Sequence, residues 1–271
     1  MNWKKLIIGT WSWKRPFYSL GAIYILLLLC ILLGADALIF KPPSGTFEKP
    51  NEHFSEIPST SGDTISTYYR EPAGGMPILL WSHGNAEDLS HSYQLMDQFH
   101  DLGFGIMAYD YPGYGLSTGK PTEDGCFKAI EAAYQHLISI GHEPKRIILT
   151  GQSVGSGPTC WLATEKETAG VLLISPFLST FRTLTRVSIF PKDRFLNLDR
   201  VKEFEHPLLI IHGTSDLVIS HWHAEQLLER AASPNKKLVS IGGAGHNDIY
   251  EAGGVKLINA MEDFALEVFP R

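Results

Sequence analysis

The sequence predicts an α/β domain built on a mostly parallel sheet with helices on both faces, preceded by one apolar N-terminal helix. Three observations predict it. Short apolar runs alternate with helix-length stretches from about residue 52 to the C-terminus. The small and chemically active residues fall directly after those runs. Residues 16–35 carry no charge at all. Continuous apolar strands separated by helices are the pattern of a parallel sheet covered on both sides.

The apolar segment comes first. Twenty uncharged residues lie between Arg15 and Asp36, including the run Ile23 to Leu33. At about 1.5 Å per residue such a helix crosses roughly 30 Å of hydrocarbon. It shows no polar face, which a surface helix would need. Trp3, Trp11 and Trp13 read as interfacial anchors. Lys4, Lys5, Lys14 and Arg15 precede the span, and only Lys41 and Lys49 follow closely. The positive-inside rule then puts the N-terminus in the cytoplasm and the large domain on the far side, periplasmic, extracellular or lumenal. The competing reading is a cleaved signal peptide, with Gly34-Ala35-Asp36-Ala37 as its site. Lipid attachment at Cys30 is disfavoured by Leu29 before it. The expected organisation is a cytoplasmic segment at 1–15, a transmembrane signal-anchor and its exit at 16–40, a Pro/Gly/Ser-rich stem at 41–52, and a globular domain at 53–271 with a short cap region at 178–206.

Within the globular part, strands are expected at Ile65–Tyr69, Ile78–Trp81, Gly105–Tyr109, Arg146–Thr150, Val171–Ile174, Leu208–Ile211 and Leu238–Ile241. Helices are expected at Leu89–Leu102, Thr122–Ile140, Ser156–Glu167, His223–Ala232 and Val255–Phe269. With 44% hydrophobic residues the chain is too apolar to be disordered. A formal charge of −6 argues against a nucleic-acid partner, whose phosphates need an excess of Lys and Arg. Three cysteines, Cys30, Cys126 and Cys160, cannot make a dense disulfide framework, so the core must carry the fold.

Open parallel sheets work at loops beyond the C-terminal ends of their strands. After the strand ending at Thr150 stands Gly151-Gln152-Ser153-Val154-Gly155, then a helix. This is G-x-S-x-G in a strand-turn-helix setting, which makes Ser153 a candidate nucleophile. Gly151 and Gly155 relieve collisions across the tight turn, and Gly157 lets the helix approach its neighbours. The turn aims Ser153 at the positive end of the following helix. No Lys follows as a phosphate-binding loop requires.

A serine hydroxyl needs a base. His246, in a Gly-rich loop after the last strand, is the candidate, and Asp216, after the strand ending at Ile211, is the carboxylate that would orient it. The order Ser153, Asp216, His246 is that of hydrolases on this kind of sheet. Asp248 competes with Asp216 but is better placed to cap the last helix or hold its loop; Asp193 and Asp199 read as structural. The oxyanion donors expected are the N–H of Val154 and a group of Asn85, either its backbone N–H or its side-chain amide, with His83 and Gly84 supporting that loop. Asp110 is expected to tie down the loop that follows it by accepting backbone N–H bonds. Tyr111 and Tyr114 are candidate pocket residues.

Together these segments resemble the α/β-hydrolase superfamily, in particular its compact, often membrane-tethered members related to serine aminopeptidases, lysophospholipases and protein depalmitoylases. The segments are HGNAED (83–88), DYPGYGLSTGKPTE (110–123), GQSVGSG (151–157), SPF (175–177), HGTSD (212–216) and GAGHND (243–248). The resemblance implies an eight-stranded sheet whose second strand is antiparallel. It also implies Ser153, Asp216 and His246 as triad and Asn85 and Val154 as oxyanion donors; no cofactor is expected. The N-terminal Cys cluster of cytosolic depalmitoylases is missing.

Between Phe177 and Pro207 the chain supplies Phe177, Leu178, Phe181, Leu184, Val187, Ile189 and Phe190. Phe177, Leu178 and Phe181 are expected to line a shallow apolar slot for an acyl chain. Lys192, Arg194 and Arg200 are candidates for contact with a phosphate headgroup. The expected activity is hydrolysis of acyl or lipid esters, such as lysophospholipid or monoacylglycerol, through an acyl-enzyme. Peptidase or amidase action and thioester cleavage are the enzymatic alternatives, and a catalytically silent membrane-tethered scaffold is the other class. His221, His223 and Glu225 lack metal-ligand spacing, so no metal is expected.

Overall fold

The computed structural model describes residues 12–44, 51–73, 75–187 and 193–269. Trp3, Lys4, Lys5, Trp11, Lys49, Ile189, Phe190, Lys192 and half of the expected stem lie outside the described residues. The chain divides into two units, residues 1–39 and 40–271.

The first unit holds helix α1, Arg15–Ile39. Its backbone is helical throughout, but the side chains of residues 30–33 lie outside those described. Among the described residues, no helix is long and apolar enough to cross a membrane. The transmembrane span expected at 16–40 therefore has a helix beneath it but no structural support as a membrane crossing.

In the second unit the strands are β1 (Phe54–Pro58), β2 (Thr64–Arg70), β3 (Ile78–Ser82), β4 (Gly105–Tyr109), β5 (Ile147–Gln152), β6 (Gly170–Ile174), β7 (Leu208–Gly213) and β8 (Lys236–Ile241). They form one eight-stranded sheet in the order β1-β2-β4-β3-β5-β6-β7-β8. β2 runs antiparallel to both β1 and β4, and every other pairing is parallel. This is the eight-stranded arrangement, with an antiparallel second strand, that the resemblance implies. β1 escapes the sequence pattern because only Phe54 and Ile57 of its five residues are buried, and residues three apart lie on opposite faces of a strand, so no period-two alternation appears.

Helices α2 (Leu89–Asp101), α3 (Glu123–Ser139), α4 (Ser156–Glu165), the single turn α5 (Asn197–Arg200), α6 (Trp222–Arg230) and α7 (Ile249–Val268) complete the domain. α2 starts at Asp88, whose side chain accepts from Ser90 N, and α3 at Thr122, which accepts from Gly125 N. Leu79, Trp81, Ile106, Ile148, Leu172 and Leu209 pack on one face with Met96 and Phe99 of α2 and Leu257, Met261 and Phe264 of α7. The alternate residues of the same strands, Ile78, Leu80, Met107, Leu149, Val171 and Ile210, are equally buried. They face the other side, where α3, α4 and α6 pack. Burial on both faces explains the unbroken apolar runs.

α7 begins before the expected Val255. Gly254, at φ 42°, breaks the helix into two limbs, and the second limb is the one its periodicity reveals.

Candidate active site

β5 ends at Gln152, and Ser153–Gly155 form a tight 3-10 turn before α4. Ser153 sits at φ 52°, a region that side chains rarely occupy. The turn survives because its neighbours are small. A Cβ on Gly155 would stand 2.1 Å from the Ser82 carbonyl oxygen, and one on Gly151 would stand 2.5 Å from that of Gly155. A Cβ on Gly157 would press into the Phe195 ring at 2.2 Å. The turn thus packs directly on the C-terminal end of β3, and the Ser153 side chain is left to project from it.

Two further loops reach the same point because they are fastened to each other. Ser215 N donates to Ala244 O at 2.9 Å, and Gly243 N to Thr214 Oγ1 at 2.9 Å. Gly213 has no room for a side chain, since a Cβ would meet Ala244 O at 2.3 Å. This contact sets Asp216 beside His246: Nδ1 of the imidazole lies 2.7 Å from Asp216 Oδ2, and Nε2 lies 3.0 Å from Ser153 Oγ. The structure therefore brings Ser153, His246 and Asp216 together from the ends of β5, β8 and β7.

The carboxylate is held on its other side. Asp216 Oδ1 accepts from Val218 N at 2.8 Å and Ile219 N at 2.7 Å. His212 Nε2, which also donates to Ile219 O, lies 3.3 Å from Oδ2. Burial alone would raise the carboxyl pKa, but the hydrogen bonds from His212, His246 and the Ile219 amide outweigh it and hold Asp216 well below the usual carboxylate range. It is ionised at neutral pH, as a partner for imidazolium requires.

Val154 opens the turn after Ser153, where a helix start leaves its N–H without an intrahelical acceptor. Asn85 follows β3. Its Oδ1 accepts from Tyr114 Oη at 2.8 Å and from Lys41 N at 3.0 Å. The amide carbonyl is thus engaged as an acceptor within the protein, which does not choose between the two donors the sequence left open, the backbone N–H and the side-chain amide.

His83 and Asp110 lie beneath this loop, fully buried. His83 Nδ1 donates to Gly84 O at 2.7 Å, and Nε2 is 3.4 Å from Asp110 Oδ1. Burial opposes a charged imidazole here, yet the adjacent Asp110 carboxylate raises the His83 pKa. Asp110 Oδ1 also accepts from Leu89 N at 2.9 Å, and its carboxylate crowds Gly115, where φ is 50°. It holds loops and stands apart from the Ser153–His246 contact.

Ser153 and His246 open into a cleft of about 490 Å3, also lined by Gly84, Asn85, Ala86, Glu87, His91, Ser92, Leu95, Gln152, Val218, Asn247 and Tyr250. The expected pocket residues are elsewhere, which corrects the sequence reading. Tyr111, Tyr114, Phe177, Leu178 and Phe181 are all buried and absent from the cleft wall. Tyr111 Oη donates to His83 O, and Tyr114 braces Asn85. Leu178 N donates to His223 Nδ1 at 3.2 Å, an acceptor that burial keeps neutral by lowering its pKa to about 4. Hydrophobicity marked these residues as inward-facing without saying which interior they face.

Arg194 and Arg200 approach Glu123, each at 3.8 Å, and Arg200 also lies over the Phe127 ring. Neither lines the cleft. Asp193 accepts from Ser179 Oγ and Phe181 N, Asp199 pairs with Lys202, and Asp248 holds its loop through Gly245 N. His221 contacts Ser240 and Glu225. The sequence reading missed Glu87, His91, Leu95, Gln152, Val218 and Tyr250 as wall residues. The positions of Glu87, Gln152 and Val218, each within two residues of a candidate catalytic or oxyanion residue, were the available signal. His91, Leu95 and Tyr250 lie on helices and left none.

Known proteins resemble the chain in sequence and in fold. Residues 76–191 match the sequence profile Hydrolase_4, Serine aminopeptidase, S33. The chain is 42% identical over 180 residues to human alpha/beta hydrolase domain-containing protein 17B, covering 63% of this chain and 60% of that protein. It is 41% identical over 190 residues to alpha/beta hydrolase domain-containing protein 17C of Xenopus laevis, covering 67% and 60%. The chain thus spans about 60% of the length of these curated relatives. Among solved structures, the Pyrococcus furiosus esterase Pf2001 superposes with a TM-score of 0.70 at 19% identity, over 84% of this chain and 99% of that one. Mouse alpha/beta hydrolase domain-containing protein 10 gives 0.60 at 14% identity, over 79% and 99%. Sheet order, the turn after β5 and these similarities lead to one assignment: the chain belongs to the α/β-hydrolase superfamily.

Proposed function

We propose that the protein is a serine hydrolase that cleaves carboxylic esters through an acyl-enzyme at Ser153. The observation that carries this reading is the continuous contact Asp216–His246–Ser153, at 2.7 and 3.0 Å, at the floor of an open cleft. Ser153 Oγ attacks the ester carbonyl while His246 Nε2 takes its proton, and the negative oxygen is met by the N–H groups of Val154 and Asn85. His246 returns the proton to the departing alcohol. Water, deprotonated by the same imidazole, then releases the acid and restores Ser153.

The cleft wall narrows the substrate class. Among its described residues Glu87 is the one carboxylate, and there is neither Lys nor Arg. A neutral or cationic leaving group is favoured over an anionic phosphate, so monoacylglycerol or a zwitterionic lysophospholipid fits better than lysophosphatidic acid. Leu95 and Val218 give the wall an apolar part, and Leu217, the residue before Val218 in the chain, is 98% exposed. Such apolar surface suits an acyl chain presented from a lipid phase.

The test is a panel of p-nitrophenyl esters of rising chain length, with monoacylglycerol, lysophosphatidylcholine, lysophosphatidic acid, an acyl thioester and an aminoacyl anilide. Turnover should rise with acyl length, favour the neutral and zwitterionic lipids, and gain on lysophosphatidic acid in Glu87→Gln. Activity falling with acyl length would replace the lipid reading with a small soluble ester. Preference for the anilide would make the enzyme an amidase, with Glu87 receiving the substrate's ammonium group.

The membrane assignment belongs to this proposal too. Large apolar side chains are exposed at Phe17, Tyr18, Leu20 and every position from Ile23 to Leu27 of α1, as expected for a helix whose surroundings are lipid. The proposed arrangement keeps the N-terminus cytoplasmic and the catalytic domain on the far side. The protein should resist alkaline carbonate extraction from membranes, with its C-terminus shielded from protease added on the cytoplasmic side. Release into the carbonate supernatant would remove the anchor.

A further inference from the structure

We propose that the residues leaving α1, Phe40 and Lys41, are a positioning element for the oxyanion loop; this rests on the hydrolase reading above. Asn85 Oδ1 is the meeting point of two donors, Tyr114 Oη at 2.8 Å and the backbone N–H of Lys41 at 3.0 Å. The Lys41 N–H is shared with Tyr114 Oη, also at 3.0 Å. The three groups therefore form a closed triangle around one oxygen atom. Burial raises the Tyr114 pKa, so its hydroxyl is protonated and able to donate.

The triangle is anchored on the side away from Asn85. Phe40 is only 4% exposed, and its ring meets Tyr114 and Phe195 edge-on with centroids 6.5 and 6.0 Å apart. Phe195, completely buried, packs on Gly157 in the helix that follows Ser153. One aromatic side chain thus touches both the support of Asn85 and the support of the nucleophile's helix. Lys41 lies 44 residues before Asn85 in the chain, so the contact adds a second long-range constraint to a loop already braced by Tyr111 and Tyr114.

The consequence is chemical. Fixing Asn85 Oδ1 holds in place the residue whose N–H, backbone or side-chain amide, must meet an oxygen that becomes negative only during reaction. Displacing such a donor weakens transition-state binding more than ground-state binding. The segment that joins the catalytic domain to α1 therefore sets kcat, so that disturbing or cutting the chain after Ile39 would lower turnover without closing the cleft.

The experiment uses the full chain with p-nitrophenyl butyrate as substrate and a trifluoromethyl ketone as an oxyanion-forming inhibitor. Tyr114→Phe removes the hydroxyl and keeps the ring. Lys41→Pro removes the N–H; Lys41 already precedes Pro42, which confines it to extended backbone where a prolyl ring fits. Each variant should lower kcat about 10-fold, below the 10²–10³ of an outright lost donor, with KM unchanged. Ketone affinity should weaken in parallel. The double variant should be no worse than the weaker single variant, because both act through one oxygen. Melting curves identify a variant that has merely lost its fold. Unchanged kcat in folded Tyr114→Phe and Lys41→Pro, or a loss confined to KM, overturns the proposal. In that event, wild-type hydrolysis that still depends on Ser153 leaves the hydrolase reading standing.

Discussion

Replacing Ser153 with alanine should lower ester hydrolysis by about 10^6-fold, down to the rate supported by binding and amide donors alone. The expectation follows from how few roles the hydroxyl has. Its Oγ meets His246 Nε2 at 3.0 Å and opens into the cleft. Alanine removes that oxygen and leaves the backbone at φ 52° held by the crowding at Gly151 and Gly155, so the variant should melt close to wild type. Ser153→Ala combined with His246→Ala should be no slower than Ser153→Ala by itself, because a base without a nucleophile has nothing to activate. Steady-state kinetics on p-nitrophenyl butyrate decide this; a loss smaller than 100-fold in a folded variant would mean that another group does the chemistry.

Asp216→Asn should lower kcat by about 10^4-fold while preserving the loop. The asparagine carbonyl can still accept from Val218 N and Ile219 N, which now donate to Oδ1 at 2.8 and 2.7 Å. Its amide nitrogen would then face His246 Nδ1, 2.7 Å away, and donate where the carboxylate accepted. That forces the imidazole into the tautomer whose Nε2 carries hydrogen, unable to take a proton from Ser153. It also removes the negative charge that supports imidazolium. Kinetics together with imidazole NMR would show the lost rate and the changed tautomer; wild-type turnover in a folded Asp216→Asn would remove Asp216 from the mechanism.

Much of the candidate site was legible in the sequence because its members stand just after apolar runs. Ser153 and His246 lie 93 residues apart, with Asp216 between them, yet each follows a strand, and a parallel sheet delivers all such loops to one edge. Gly151 and Gly155 were readable for the same reason, as a tight turn has few steric solutions. The cleft wall was not. His91 and Leu95 come from α2 and Tyr250 from the first turn of α7, where helical periodicity reports the buried face and says nothing of what the other face borders. Phe177, Leu178 and Phe181 were misread in the opposite direction, since apolar character signals burial equally for a core and for a pocket.

The fold shows the same division. The strands buried on both faces were found, and β1, half-exposed at the sheet edge, was not. Lys41 gave no signal at all, because it contributes a backbone N–H that any residue but proline would supply.

The central claim is that a substrate's acyl group passes through Ser153. Rapid quenching of the wild-type enzyme during turnover of p-nitrophenyl butyrate, followed by peptide mass spectrometry, tests it most directly. The account predicts a butyryl group on the peptide containing Ser153, accumulating in a burst and absent from Ser153→Ala. Butyrylation at a different side chain, or full turnover with the Ser153 peptide unmodified at every quench time, would contradict it.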